Sequence, residues 1–191
     1  MKRLMIVLAY LSVCILLAQS WSQPINVSNQ QNIKSKLDFC IDSRGIIHCI
    51  WMSGNPIGYQ IYYSRSIDGG LTWTEDLLTS TYGVWGDPVI ACDTTGSFYF
   101  FHLSNPPSGS WIDRIVCQRT NSPGGIWTPG TYTGLNGNKA QDKHWVAINK
   151  NTNGIYMTWT EFDAYGSNIP TDSSRIMFSR SLDQGQTWST A

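Results

Sequence analysis

Residues 64–73 read SRSIDGGLTW and residues 179–188 read SRSLDQGQTW, so one ten-residue phrase occurs twice in a chain of 191 residues. Seven positions are identical, namely Ser64/Ser179, Arg65/Arg180, Ser66/Ser181, Asp68/Asp183, Gly70/Gly185, Thr72/Thr187 and Trp73/Trp188. Such a repeat constrains the fold strongly. A repeated unit that cannot bury its apolar face alone must stack on its neighbours.

The repetition extends upstream of the phrase. Residues 37–52, 88–103 and 144–159 each read as strand, turn, strand. The turns open with Asp42, Asp93 and Asn149, whose side chains can cap them. They close with Gly45, Gly96 and Gly154, where a positive φ is expected. A third strand follows in each unit (59–66, 113–120 and 174–181) and leads into the phrase. The middle copy, NSPGGIWT, keeps Gly124 and Trp127 but lacks the aspartate. A fourth strand is expected around 75–80 and again around 130–134. No segment beyond the N-terminus shows helical periodicity. The expected fold is therefore all-β. It consists of four-stranded antiparallel sheets of the size of propeller blades, three in number, with the last one incomplete.

The phrase has a physical reading of its own. It forms the tight turn between the third and fourth strands. Ser66, Asp68, Gly70 and Thr72, like Ser181, Asp183, Gly185 and Thr187, can knit that turn through side-chain and backbone hydrogen bonds. Trp73 and Trp188 then open the next strand. Every position has structural work, so the phrase alone carries no catalysis. Trp73 and Trp127 are expected to be buried between blades. Trp188 is expected to lie uncovered, since no fourth blade follows it.

The N-terminus, MKRLMIVLAYLSVCILLAQSWSQ, has a basic start at Lys2 and Arg3, a short apolar run and small residues near Ser20 and Ser22. It reads as a signal peptide over 1–22, too short for a membrane span. The expected destination is secretion, extracellular or periplasmic, with no stable membrane span after cleavage. Residues 23–35 form an N-terminal segment able to supply an outer strand to a closing blade, and 36–191 form the partial propeller. Charged residues make up only 14% of the chain, with 13 basic and 13 acidic residues, so nothing attracts nucleic acid. Four cysteines survive cleavage (Cys40, Cys49, Cys92 and Cys117). They allow three complete pairings or buried free thiols. No metal-ligand spacing or cofactor motif is present, so neither a metal nor a cofactor is expected.

The pattern S-x-D-x-G-x-T-W resembles the Asp-box, or bacterial neuraminidase repeat. Together the three units resemble secreted sialidase-like β-propellers across nearly all of 36–191. The resemblance implies a glycoside hydrolase of exo-sialidase type acting on terminal sialic acid or a related sugar. The alternative is a non-catalytic secreted propeller that binds glycan or protein. It also implies a site at the end of the blades opposite the phrase turns. That end collects the lead-ins SKLD (35–38), WGDP (85–88) and QDKHW (141–145) and the loops 53–59, 104–113 and 161–174. Among the residues gathered there, Asp87 and Asp142 are the candidate catalytic acids, with turn capping as the other reading. Trp85, Trp111, Glu161 and Tyr165 are candidate substrate contacts, and Asp113, Lys143 and Asp163 share the surface. Arg114 and Arg175 occupy equivalent positions and can grip a carboxylate, or can be solvated strand ends. The family's arginine-isoleucine-proline signature is absent, and no residue matches its tyrosine nucleophile or the assisting glutamate. The chain is read as part of a longer propeller.

Overall fold

A computed structural model describes residues 22–29, 31–55 and 58–191. The expected signal peptide lies outside them except for Ser22. All described elements are strands, in three antiparallel sheets. The first sheet is β1 (Lys34–Ile41), β2 (Ile47–Asn55), β3 (Gly58–Ser66) and β4 (Thr74–Leu78) in sequence order. The second is β5 (Gly86–Cys92), β6 (Phe98–Leu103), β7 (Ile115–Thr120) and β8 (Thr131–Thr133). The third is β9 (Ala140–Ile148), β10 (Ile155–Phe162) and β11 (Ser174–Ser181). A start of a fourth strand follows β11, where the Ser189 amide donates to the Arg180 carbonyl at 2.9 Å. The expected blades are present, and the last is incomplete.

The turns form for the anticipated reasons, with one difference. Asp42 Oδ1 accepts the Arg44 and Ile46 amides, each at 2.9 Å, and Asp93 Oδ1 accepts those of Thr95 and Ser97 in the same way. Gly45 and Gly96 are left-handed as expected. In the third turn the left-handed residue is Asn153 (φ 54°) and not Gly154. That turn is longer, and asparagine tolerates this conformation. In the phrase turns, Asp68 Oδ1 accepts the Leu71 and Thr72 amides at 3.0 and 2.9 Å. Asp183 Oδ1 accepts those of Gln186 and Thr187 at 3.1 and 2.9 Å. Bonds from the Thr72 and Thr187 hydroxyls and amides hold both carboxyls down at about 2.

The cores lie between blades. Ile50, Ile61, Tyr63 and Leu78 of the first meet Ile90 and Phe100 of the second. Tyr99, Phe101, Ile115 and Cys117 of the second meet Ile155, Met157 and Trp159 of the third. A Cys40–Cys92 disulfide joins β1 to β5, leaving Cys49 and Cys117 as thiols. The same positions lose cover in the last blade. Ile61 and Ile115 are 0% and 1% exposed, whereas Ile176 at their position is 76% exposed. Leu37, Phe39 and Ile41 on the far face of the first blade are exposed as well. The described residues between 23 and 33 form no strand. Ile25 and Val27 lie against that far face near Leu37, Cys49 and Trp51, and β1 begins at Lys34.

The direction of stacking reverses the expectation for the tryptophans. All three are half-buried, but their partners differ. Trp127 packs edge-on against Tyr63 of the preceding blade and Phe100 of its own, at 5.8 and 6.0 Å. Trp188 packs on Phe101 of the preceding blade, and its indole N–H donates to Thr131 Oγ1 at 3.1 Å. Each phrase tryptophan therefore faces backwards along the chain. Trp73, whose blade has none before it among the described residues, donates to its own turn at the Gly70 carbonyl, 3.0 Å away. The phrase arginines face forwards. Arg65 lies so close over Gly124 that a Cβ there would collide with it, and Arg119 donates to Gln184. We expect Trp127→Ala to cost roughly 3 kcal/mol and Trp73→Ala under about 1 kcal/mol in urea denaturation. Equal losses would show that the first blade is covered as the second is.

Candidate active site

The inner strands β1, β5 and β9 stand side by side, and each breaks its register, β1 and β5 near their starts and β9 at Lys143 and His144. The shifts fall between Ser35 and Leu37, between Gly86 and Val89, and opposite Thr158–Thr160. At each bulge a non-glycine residue adopts the left-handed conformation: Lys36 (φ 47°), Asp87 (φ 50°) and Lys143 (φ 57°). A bulge re-aims a side chain, and the left-handed backbone costs on the order of 1 kcal/mol per residue. Here the three bulges aim their side chains at one another. Lys36 and Lys143 both pair with Asp87, the latter at 3.1 Å, and Lys143 also reaches Asp142 at 3.2 Å. One ammonium thus holds the two candidate acids, whose Oδ2 atoms can stand no more than roughly 6 Å apart.

The electrostatics follow from these contacts. Burial works to raise the Asp87 carboxyl, but the two lysines prevail and hold it below the ordinary range. Burial works against the Lys143 ammonium, and its bonds to Asp87 and Asp142 raise it regardless. Asp38 shares the cavity, of about 330 Å³, and behaves oppositely. Burial raises its carboxyl despite amide bonds from Ile90 and Phe39. His144, enclosed beside them, is pushed by burial down to about 4 and is neutral at pH 7. The cavity therefore holds one carboxyl whose pKa is raised by burial and one whose pKa is lowered by lysines. Sequence reasoning singles out Asp87 and Asp142 but not Lys36, Asp38 or His144. Their only signal is position: Lys36 is itself a bulge residue, Asp38 lies two residues beyond it, and His144 follows Lys143.

Three of the candidate contact residues line up beside this cluster. The neighbouring Asp142 carboxylate pushes the Tyr165 phenol pKa up. From Tyr165 a row of edge-to-face rings runs to Trp111 (5.4 Å), Trp85 (5.0 Å) and Tyr59 (5.3 Å), drawing on all three blades. The remaining candidates are engaged elsewhere. Arg114 forms a two-pronged bond with Asp113 and lies over the Tyr132 ring at 4.7 Å. Arg175 binds Glu161 and Asp163, each at 2.9 Å. Glu161 is buried and also bonds Asn136 and Lys139. Among the described residues no group of three His, Cys, Asp or Glu side chains could hold a metal ion, and no helix is long and apolar enough to cross a membrane.

No protein-family model and no curated protein matches the sequence. Solved structures do match. The α-L-arabinofuranosidase of Fusarium graminearum bound to an iminosugar inhibitor aligns with a TM-score of 0.61 at 16% identity, over 81% of this chain and 46% of its own. The GH93 α-L-arabinofuranosidase of the same organism with arabinobiose gives 0.60 at 17%, over 87% and 49%. A protein of unknown function from Dyadobacter fermentans gives 0.64 at 12%, over 90% and 54%. The fold is that of a β-propeller. The chain supplies three of its blades and spans about half the length of these matched structures. At such identities the likeness concerns the propeller fold and leaves the reaction open.

Proposed function

We propose that the chain is part of a secreted, glycan-acting propeller of glycoside hydrolase type, and that the sugar binds at the bulge cluster. The observation that carries this is the grouping of Asp38, Asp87 and Asp142 around Lys143, with aromatic rings alongside. Opposed carboxyl environments in one cavity are what acid–base hydrolysis of a glycoside requires. The sugar ligands named for the Fusarium structures support the same class.

Within the class, the resemblance of the three units to sialidase-like propellers is the ground for a sialidase-type substrate, although the phrase itself is structural. The state of the arginines favours an uncharged sugar, because Arg114 and Arg175 are each already paired with carboxylates of this chain. A non-catalytic, glycan-binding propeller is the second reading. The clamping of Asp87 by two lysines favours it, since that carboxylate is neither a free nucleophile nor a proton donor.

Hydrolysis needs its groups held together in one geometry, and removing part of such a unit removes most of the rate. The expected result for residues 22–191 is therefore saturable glycan binding, abolished in an Asp87→Asn, Asp142→Asn double variant. Turnover of fluorogenic sialosides or arabinofuranosides is expected to stay at background. A folded chain that binds no member of a glycan panel would refute the site. Turnover that vanishes in the double variant would show that three blades suffice for catalysis.

A further inference from the structure

We infer that Tyr59, Trp85, Trp111 and Tyr165 form successive subsites for a linear, uncharged oligosaccharide that runs outward from the bulge cluster. This rests on the glycan reading above and specifies the ligand. The first support is exposure. Trp111 and Tyr165 are 43% and 46% exposed, although each belongs to a residue type that normally buries its ring. Tyr59 is exposed as well, while Trp85 is half-buried against the core and anchors the row, and exposed rings grouped in this way mark a contact surface.

The second support is spacing. The steps of 5.0–5.4 Å between ring centres are close to the length of one sugar residue, and four rings in sequence exceed what a single sugar can cover. The third is direction. Tyr165 lies within the influence of Asp142, which Lys143 holds at 3.2 Å, and its ring meets Trp111 at 5.4 Å, so the row starts beside the carboxylates and draws on all three blades. A chain whose terminal unit sits at the polar cluster would lay its following units along the rings. Sugar C–H faces stack on the electron-rich faces of aromatic rings.

The fourth support is charge. The candidate cations at this end of the blades are compensated: Arg114 by Asp113, Arg175 and Lys139 by Glu161 and Asp163, and Lys36 and Lys143 by Asp87. An acidic sugar would have to give up its hydration without gaining a free counter-charge. A neutral sugar loses nothing of the kind.

Calorimetric titration of residues 22–191 with arabinose through arabinotetraose, xylose through xylotetraose, and tetragalacturonate tests this. The expected result is affinity that rises about ten-fold or more from mono- to tetrasaccharide in a neutral series and changes little with salt. Trp111→Ala should remove about ten-fold from the tetrasaccharide and leave the monosaccharide unchanged, while Trp111→Phe, which keeps a stacking face, should recover most of the loss. Circular dichroism of each variant verifies the fold. Monosaccharide binding that matches tetrasaccharide binding, or that falls in parallel with it in Trp111→Ala, would overturn the subsites and leave the cluster as a sugar site. Preference for tetragalacturonate would overturn the uncharged ligand. Absence of binding to every probe would overturn both readings.

Discussion

Between pH 6.5 and pH 5 the folded chain is expected to lose stability steeply. His48, His102 and His144 are all buried, and burial pushes each from the usual 6.5 down to about 4. Asp42 opposes that shift at His48, with Arg44 and Arg65 reinforcing it. His102 and His144 face each other's field, and Asp87, Lys36 and Lys143 act on His144. A histidine with a lowered folded pKa takes up its proton first in the unfolded chain. Its contribution is therefore complete above 6.5 and is lost as pH falls toward 4. Each such group contributes a slope of about 1.4 kcal/mol per pH unit in that window. Urea denaturation at pH 7, 6 and 5 measures the slope, and His102→Leu should reduce it by about one proton. A midpoint that stays level from pH 7 to 5 would mean that the imidazoles are protonated in the folded state.

Cutting the Cys40–Cys92 bond is the second large effect. The bond closes a loop with a sequence separation of 52. Opening such a loop restores chain entropy to the unfolded state worth about 4 kcal/mol. The bond also lies across the joint between the first two blades, so its loss should be felt there first. Thermal melts with and without reductant, alongside a Cys40→Ser, Cys92→Ser variant, give the comparison. Reductant should lower the transition of the parent and leave the variant unmoved. If parent and variant melt together under oxidising conditions, the packing of Ile50, Tyr63, Ile90 and Phe100 holds the joint unaided.

Much of the architecture was legible because it repeats. Asp42, Asp93 and Asn149 announce their hairpins, and the phrase announces the turn between the third and fourth strands. Local chemistry sufficed there, since each turn is knitted by its own residues. The direction in which a blade faces its neighbour was not legible. It depends on the twist of the sheet, and no residue type records whether Trp73 looks forwards or backwards. The site was half legible. Asp87 and Asp142 stand out as carboxylates at lead-ins, but the partners that fix their charge come from other blades. Arg114 and Arg175 look like a pair of grips in one dimension. In three dimensions Asp113, Glu161 and Asp163 have already taken their hydrogen bonds.

The bulges at Lys36, Asp87 and Lys143 set backbone stability against the sugar site proposed above. Glycine adopts their backbone conformation without the steric cost that a side chain pays there. Replacing any of them with glycine would relax the backbone and, in the same step, delete a member of the cluster. Selection of this chain for heat resistance alone would therefore tend to erase the site first, and the hardiest descendants would be those that had stopped recognising anything.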